Sequence, residues 1–117
     1  MNTPRRISII DWSVLTGVVG DNDALRARVL GAFLRESERD LAELERALDS
    51  QDFDAARKLA HQLRGAARTV GALSLADVAR GLESEAVYGI PDQVAKLRVD
   101  LRAQIALVHE RIRTPEA

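Results

Sequence analysis

The chain has 117 residues, 46% of them apolar and 30% charged, a balance that suits one soluble globular domain and argues against a disordered segment. A formal net charge of −1 argues against a dedicated nucleic-acid binder, and the lack of cysteine excludes disulfides, cysteine zinc sites and a thiol nucleophile. No apolar run approaches the ~20 residues needed to span a bilayer, and the opening Met1-Asn2-Thr3-Pro4-Arg5-Arg6 is too polar for a signal peptide. A cytoplasmic location is expected. With only Trp12, Phe33, Phe53 and Tyr88 as aromatics, the core must be built from Leu, Val, Ile and Ala, which suits packed helices better than a β-sandwich.

Asp11 is placed to cap a short first helix with Trp12 and Leu15 inward, broken by Gly17 and Gly20. Asp21-Asn22-Asp23 reads as the start of a long second helix. Its apolar stripe is Leu25, Val29, Phe33, Leu41, Leu44 and Leu48, with a polar gap near Glu36 and Ser37. Asp49-Ser50-Gln51-Asp52 is a turn and a new cap. The third helix is predicted from about Asp52 to Val70, with Ala56, Leu59, Leu63, Ala66 and Val70 inward and Gly71 as its stop. Ser74 is a candidate cap for a fourth helix that faces Leu75, Val78 and Leu82 to the core. Gly89-Ile90-Pro91-Asp92 interrupts the chain before a fifth helix with the stripe Val94, Leu97, Leu101, Ile105, Val108 and Ile112. No segment alternates with strand period. The expected fold is all-α: an antiparallel four-helix bundle with a short additional N-terminal helix, one domain over 1–117, its core at about 10–112 and polar tails at both ends.

Two histidines occur, His61 and His109. A helix turns ~100° per residue, so His61 lies opposite the midpoint of Leu59 and Leu63 and should face water. His109 falls beside Val108 and is most simply structural or superficial. The outer stripe around His61 carries Arg57, Lys58, Arg64, Gly65 and Arg68, and no acid occurs between Ala55 and Ala76. A neutral imidazole is a good nucleophile towards phosphorus, and a free pKa of ~6.5 keeps much of it neutral near pH 7. Neighbouring guanidinium and ammonium groups would stabilise a phosphoryl group on it. Glycine inside a helix costs about 1 kcal/mol relative to alanine, so Gly65 suggests a close approach by a partner, with Ala66 and Ala67 leaving the face shallow. If the third and fourth helices form a hairpin turning near Ala72, Glu83 lies level with His61, eleven residues to either side. It is then placed to accept from one ring nitrogen and leave the other as nucleophile. The alternative for each feature is ordinary: a solvated histidine, surface salt bridges, a helix–helix contact at Gly65 and a solvated Glu83.

Read in order, His61-Gln62-Leu63-Arg64-Gly65, five residues, Gly71, three residues, Leu75 and later Leu82-Glu83 resemble the signature of histidine-containing phosphotransfer (HPt) domains. Leu15, Gly20-Asp21, Phe33, Leu41, Leu44 and Leu48 before Asp52 resemble the family's first two helices, so the likeness covers about 10–112. The overall pattern is similar to domains at the C-terminus of bacterial hybrid sensor histidine kinases. The resemblance implies a bundle with an exposed phosphohistidine at His61, Arg64 at the phosphoryl-contacting position, Gly65 admitting the partner and Glu83 supporting the histidine. It further implies no kinase activity in this chain, no cofactor of its own, and response-regulator receiver domains as partners that bring Mg²⁺. Arg57, Lys58 and Arg68 would then steer the partner. Arg64 stands where the family usually has lysine, a bulkier, planar cation in place of a point charge.

Three other function classes are weighed by the same residues. A docking-only helical module would not need His61 and Gly65. Leu73 to Leu82 faintly resembles the start of a helix-turn-helix, but the following Glu83-Ser84-Glu85-Ala86 is acidic where a recognition helix should be basic or polar. An autonomous enzyme would need a P-loop, a zinc motif or an ATP-binding domain, and none of these is present.

Overall fold

In the computed structural model, which describes residues 9–88 and 90–114, the chain forms five helices. These are α1 (Trp12–Val19), α2 (Asp23–Asp49), α3 (Phe53–Val70), α4 (Leu73–Tyr88) and α5 (Pro91–Arg113). There is no strand among the described residues. The first eight residues, Gly89 of the predicted break and the tail after Thr114 lie outside them. Helices α2 to α5 run up and down as the bundle. Helix α3 packs most extensively on α4 and next on α2, α5 packs on α4 and lightly on α2, and α1 closes against α3 and α2.

The helix starts follow from short polar side chains that satisfy free amide groups. Asp11 accepts from the Ser13 N–H, Asn22 from the Leu25 N–H and Asp52 from the Ala55 N–H. Gly17 does not break α1, which continues to Val19. The stop is Gly20, at φ +64°. Ser74 does not cap α4 either. Helix α3 ends in a Schellman arrangement, with the Gly71 N–H donating to the Arg68 carbonyl and the Ala72 N–H to the Ala67 carbonyl. That reversal is complete within two residues, so α4 begins at Leu73 and the Ala72 carbonyl takes its first bond, from the Ala76 N–H. Gly71 sits at φ +83°, and a Cβ there would lie 2.1 Å from the Asp11 carbonyl oxygen. The Asp11 N–H donates to the Gly71 carbonyl at 2.8 Å, tying the entry of α1 to this turn.

Core positions depart from the predicted stripes in an instructive way. On α3 the buried row is Ala56, Ala60, Leu63, Ala67 and Val70, whereas Leu59 and Ala66 are half-buried. On α4 it is Leu75, Ala76, Ala79, Leu82 and Ala86, with Val78 half-buried. Alanines on both helices let the two backbones approach closely. Leu25 is not a core residue and is 38% exposed. Helix α2 has 27 residues against 18 in α3, so its first turns extend past α3, where Arg26 lies over Trp12 of α1. Helix α4 runs unbroken through Gly81, where a Cβ would meet Leu97 of α5 at 3.1 Å. The helix-turn-helix reading fails here, because Gly81 serves helix packing and not a turn.

The polar gap of α2 is filled from α5. Ser37 and His109 are both buried, and His109 Nε2 lies 2.7 Å from Ser37 Oγ. The Ser37 hydroxyl donates to the Phe33 carbonyl at 2.5 Å, so its lone pair accepts from the imidazole N–H. The ring also meets Phe33 edge-on with centroids 6.1 Å apart. Burial pushes the His109 pKa down; Glu38, 3.4 Å from Nδ1, pulls it back up and Arg113 adds to the depression. A folded-state pKa below the unfolded value means that the unfolded chain binds the proton first. Stability from neutral His109 is therefore complete above about pH 6.5 and is lost as pH falls below that value. We expect the urea midpoint to fall between pH 7.5 and 5.5, and the fall to flatten in His109→Gln whatever that variant's stability at pH 7.5.

Candidate functional site

The face that α3 turns away from its alanine row carries His61, whose side chain is 61% exposed. Helix α4 brings Glu83 to the same level. His61 Nδ1 lies 2.9 Å from Glu83 Oε1. Arg64, one turn further along α3, places Nη1 3.4 Å from Glu83 Oε2 and Nη2 3.3 Å from His61 Nδ1. These three side chains form one connected cluster across the α3–α4 seam.

The short contact with Glu83 favours the tautomer that carries its proton on Nδ1. An ionised carboxylate accepts only, so Nδ1 must donate to Glu83. With that proton on Nδ1, the Arg64 contact with the same nitrogen is an approach and not a donation. The neutral ring then carries its lone pair on Nε2, on the exposed side chain. The Glu83 side chain is only 22% exposed, and its Oε2 is buried without a hydrogen bond, facing the Arg64 guanidinium at ion-pair distance. Arg64 thus neutralises the carboxylate that orients the imidazole.

The other cations divide. Arg57 and Lys58 are not gathered at His61: both reach back to Asp54, at 3.1 and 3.2 Å. Their hydrogen bonds hold the Asp54 carboxyl below the usual carboxylate range. The acid-free stretch of sequence begins at Ala55, and one residue outside it sits an acid at the i+3 and i+4 spacings that helices pair. Arg68 has no ion-pair partner among the described residues. It lines a shallow hollow with Arg64, Leu73, Ala76, Asp77 and Arg80. Arg80 belongs to the site's surroundings and sequence reasoning passed over it. The hairpin rule that located Glu83 would have found it, since Arg64 and Arg80 stand eight residues to either side of Ala72.

Gly65 is exposed, and a Cβ built there would meet no atom within 4 Å. Nothing inside the bundle requires it, unlike Gly71 or Gly81. Ala67 is wholly buried and contributes nothing to the outer face; the shallow surface is made by Gly65 and half-buried Ala66. The described residues hold no cluster of three or more metal-ligating side chains, and no described helix is long and apolar enough to cross a membrane.

An exposed nucleophilic nitrogen, oriented by a carboxylate and flanked by a guanidinium, is suited to reversible group transfer to and from another protein. Comparisons with known proteins point the same way. The family model described as Hpt domain matches residues 28–114. Histidine-containing phosphotransfer protein B (HptB) from Pseudomonas aeruginosa PAO1 superposes with a TM-score of 0.84 at 27% identity, over 90% of this chain and 91% of that one. The HPT domain of a sensor hybrid histidine kinase from Shewanella shares the fold, with a TM-score of 0.75 at 16% identity over 90% of this chain and 91% of that one. No curated protein sequence matches the chain significantly. With three quarters of its length matched by the family model, the chain belongs to the Hpt domain family, the histidine phosphotransfer carriers of two-component signalling.

Proposed function

We propose that His61 is the phosphoacceptor of a phosphorelay, taking a phosphoryl group from the aspartyl phosphate of one receiver domain and passing it to another. The observation that carries this reading is the bond from His61 Nδ1 to Glu83, which leaves Nε2 deprotonated on an exposed side chain. In the forward step the Nε2 lone pair attacks phosphorus in line, an N–P bond forms, and the P–O bond to the donor aspartate breaks with the electron pair leaving on its carboxylate. The ring gains positive charge, which Glu83 offsets through Nδ1–H. Arg64 pairs with the phosphoryl oxygens as they come within reach. Transfer to the second receiver is the reverse of the same step.

Receivers dock over α3 and α4, where Gly65 lets a partner's backbone come close. Arg68 and Arg80, free of ion pairs among the described residues, supply the electrostatic steering. Arg57 and Lys58 contribute less, because Asp54 already offsets them. The receiver brings the Mg²⁺ that shields the phosphoryl charge. The chain itself has no kinase activity and works in the cytoplasm, either alone or as the phosphotransfer part of a hybrid sensor kinase. A docking-only role is the competing reading, and the acceptor assay separates the two.

Incubation with radiolabelled phosphorylated receivers and Mg²⁺ should place acid-labile, base-stable label on the wild type and none on His61→Gln. Arg64→Ala should slow transfer about tenfold to a hundredfold with the fold intact. Receiver binding by the wild type with no label from any donor would establish docking alone. Gly65→Ala should raise stability by up to about 1 kcal/mol in urea denaturation, whereas Gly65→Gln should abolish receiver-dependent labelling while the protein still melts cooperatively. In ¹⁵N-resolved imidazole spectra at alkaline pH the wild type should show the Nδ1–H tautomer of His61. Glu83→Gln should shift the population towards Nε2–H, and an unchanged tautomer would remove Glu83 from its orienting role.

A further inference from the structure

Helix α5 carries a second exposed face that the phosphotransfer reading does not use. It packs on α4 and α2, and its backbone stays apart from that of α3. Its outward side shows Val99 at 62% exposure and Leu107 at 41%. Ala103, also exposed, lies midway between them. Steps of four make these three residues a single ridge.

The charges of α5 sort by face. Arg98 and Arg102 bind Glu45 and Asp49 of α2, and Arg113 binds Glu38. Lys96 and Glu110 lie on the outward side and have no ion-pair partner among the described residues. They stand seven residues before and seven after Ala103, just as Val99 and Leu107 stand four before and four after.

We infer that this face pairs with a second copy of the chain, helix antiparallel to helix, about a two-fold axis at Ala103. Such an axis sets Val99 on the partner's Leu107, Lys96 on the partner's Glu110, and each reciprocal pair by symmetry. The small Ala103 lets the helices approach at the axis. The charges also select the register. A shift of about one turn opposes Asp92 to the partner's Glu110 and removes the Lys96–Glu110 pairs. One helix per copy buries less than the roughly 1,200 Å² typical of stable complexes, so the dimer is weak and concentration-dependent. It leaves His61 open, since the ridge faces away from the bundle on α5, whose backbone stays apart from that of α3. The inference does not depend on the role of His61.

Sedimentation equilibrium from about 20 μM to about 1 mM tests it. The expected result is a reversible monomer–dimer equilibrium for the wild type and its loss in Val99→Glu. Lys96→Glu and Glu110→Lys should each raise the dissociation constant about tenfold, since symmetry doubles every reversed pair. The double variant Lys96→Glu/Glu110→Lys should return to within about twofold of the wild type. These side chains are exposed, and circular dichroism confirms that each variant is folded. A wild type that stays monomeric throughout, single reversals without effect, or a double variant no better than the singles would overturn the inference.

Discussion

The turn at Gly71 fixes the height at which α3 and α4 face each other, and the site depends on that height. Glycine is required twice over. Its φ of +83° suits the left-handed end of α3, and its missing side chain admits the Asp11 carbonyl, which a Cβ would approach to 2.1 Å. Because the reversal takes only Gly71 and Ala72, eleven residues back along α3 and eleven forward along α4 bring His61 level with Glu83. The alanine rows of the two helices then hold them close enough for a 2.9 Å hydrogen bond between side chains. A turn one residue longer would rotate Glu83 by ~100° and separate the pair.

The charges work at two distances. Around the imidazole they are few and specific: one carboxylate that orients and one guanidinium that keeps that carboxylate from standing alone in a half-buried seam. An uncompensated carboxylate there would be costly, so Arg64 supports the fold of the site. Further out the cations are conditional. Those within a turn of Asp54 are satisfied locally, whereas Arg68 and Arg80 remain available beside the hollow next to Leu73. This explains how a chain of net charge −1 can present a basic neighbourhood beside His61.

The buried Ser37–His109 pair performs a different task from the exposed histidine. It joins α2 to α5 inside the bundle, while Arg98, Arg102 and Arg113 of α5 pair with Glu45, Asp49 and Glu38 of α2 at its surface. A polar pair of this kind is satisfied in only one alignment, so it fixes the relative placement of two helices that apolar packing alone would hold loosely. The two histidines thus separate by burial, one kept in the core against Ser37 and the other exposed beside Glu83 and Arg64.

Much was readable from residue order alone. The fold class followed from apolar stripes at helical spacing, the helix starts at Asp11, Asn22 and Asp52 from cap chemistry, and the exposure of His61 from its angle to Leu63. The cross-helix partner Glu83 followed from a turn short enough to count across. The alanine rows were harder to see, because alanine is at home on a helix surface and in a core, and a pattern weighted on leucine turned α3 slightly towards Leu59 and Ala66. The continuity of α1 through Gly17 and of α4 through Gly81 was equally hidden, since a glycine's role depends on what packs against it. By itself the sequence determined the helices, the exposed histidine and the motif around it, because these depend on spacings within one or two turns. Only the tertiary structure decided that Arg57 and Lys58 turn to Asp54, that Arg80 joins the neighbourhood of Arg64, and that His109 meets Ser37. Each of these turns on which side chains lie within a few ångströms once the helices are docked, and local periodicity carries no record of that.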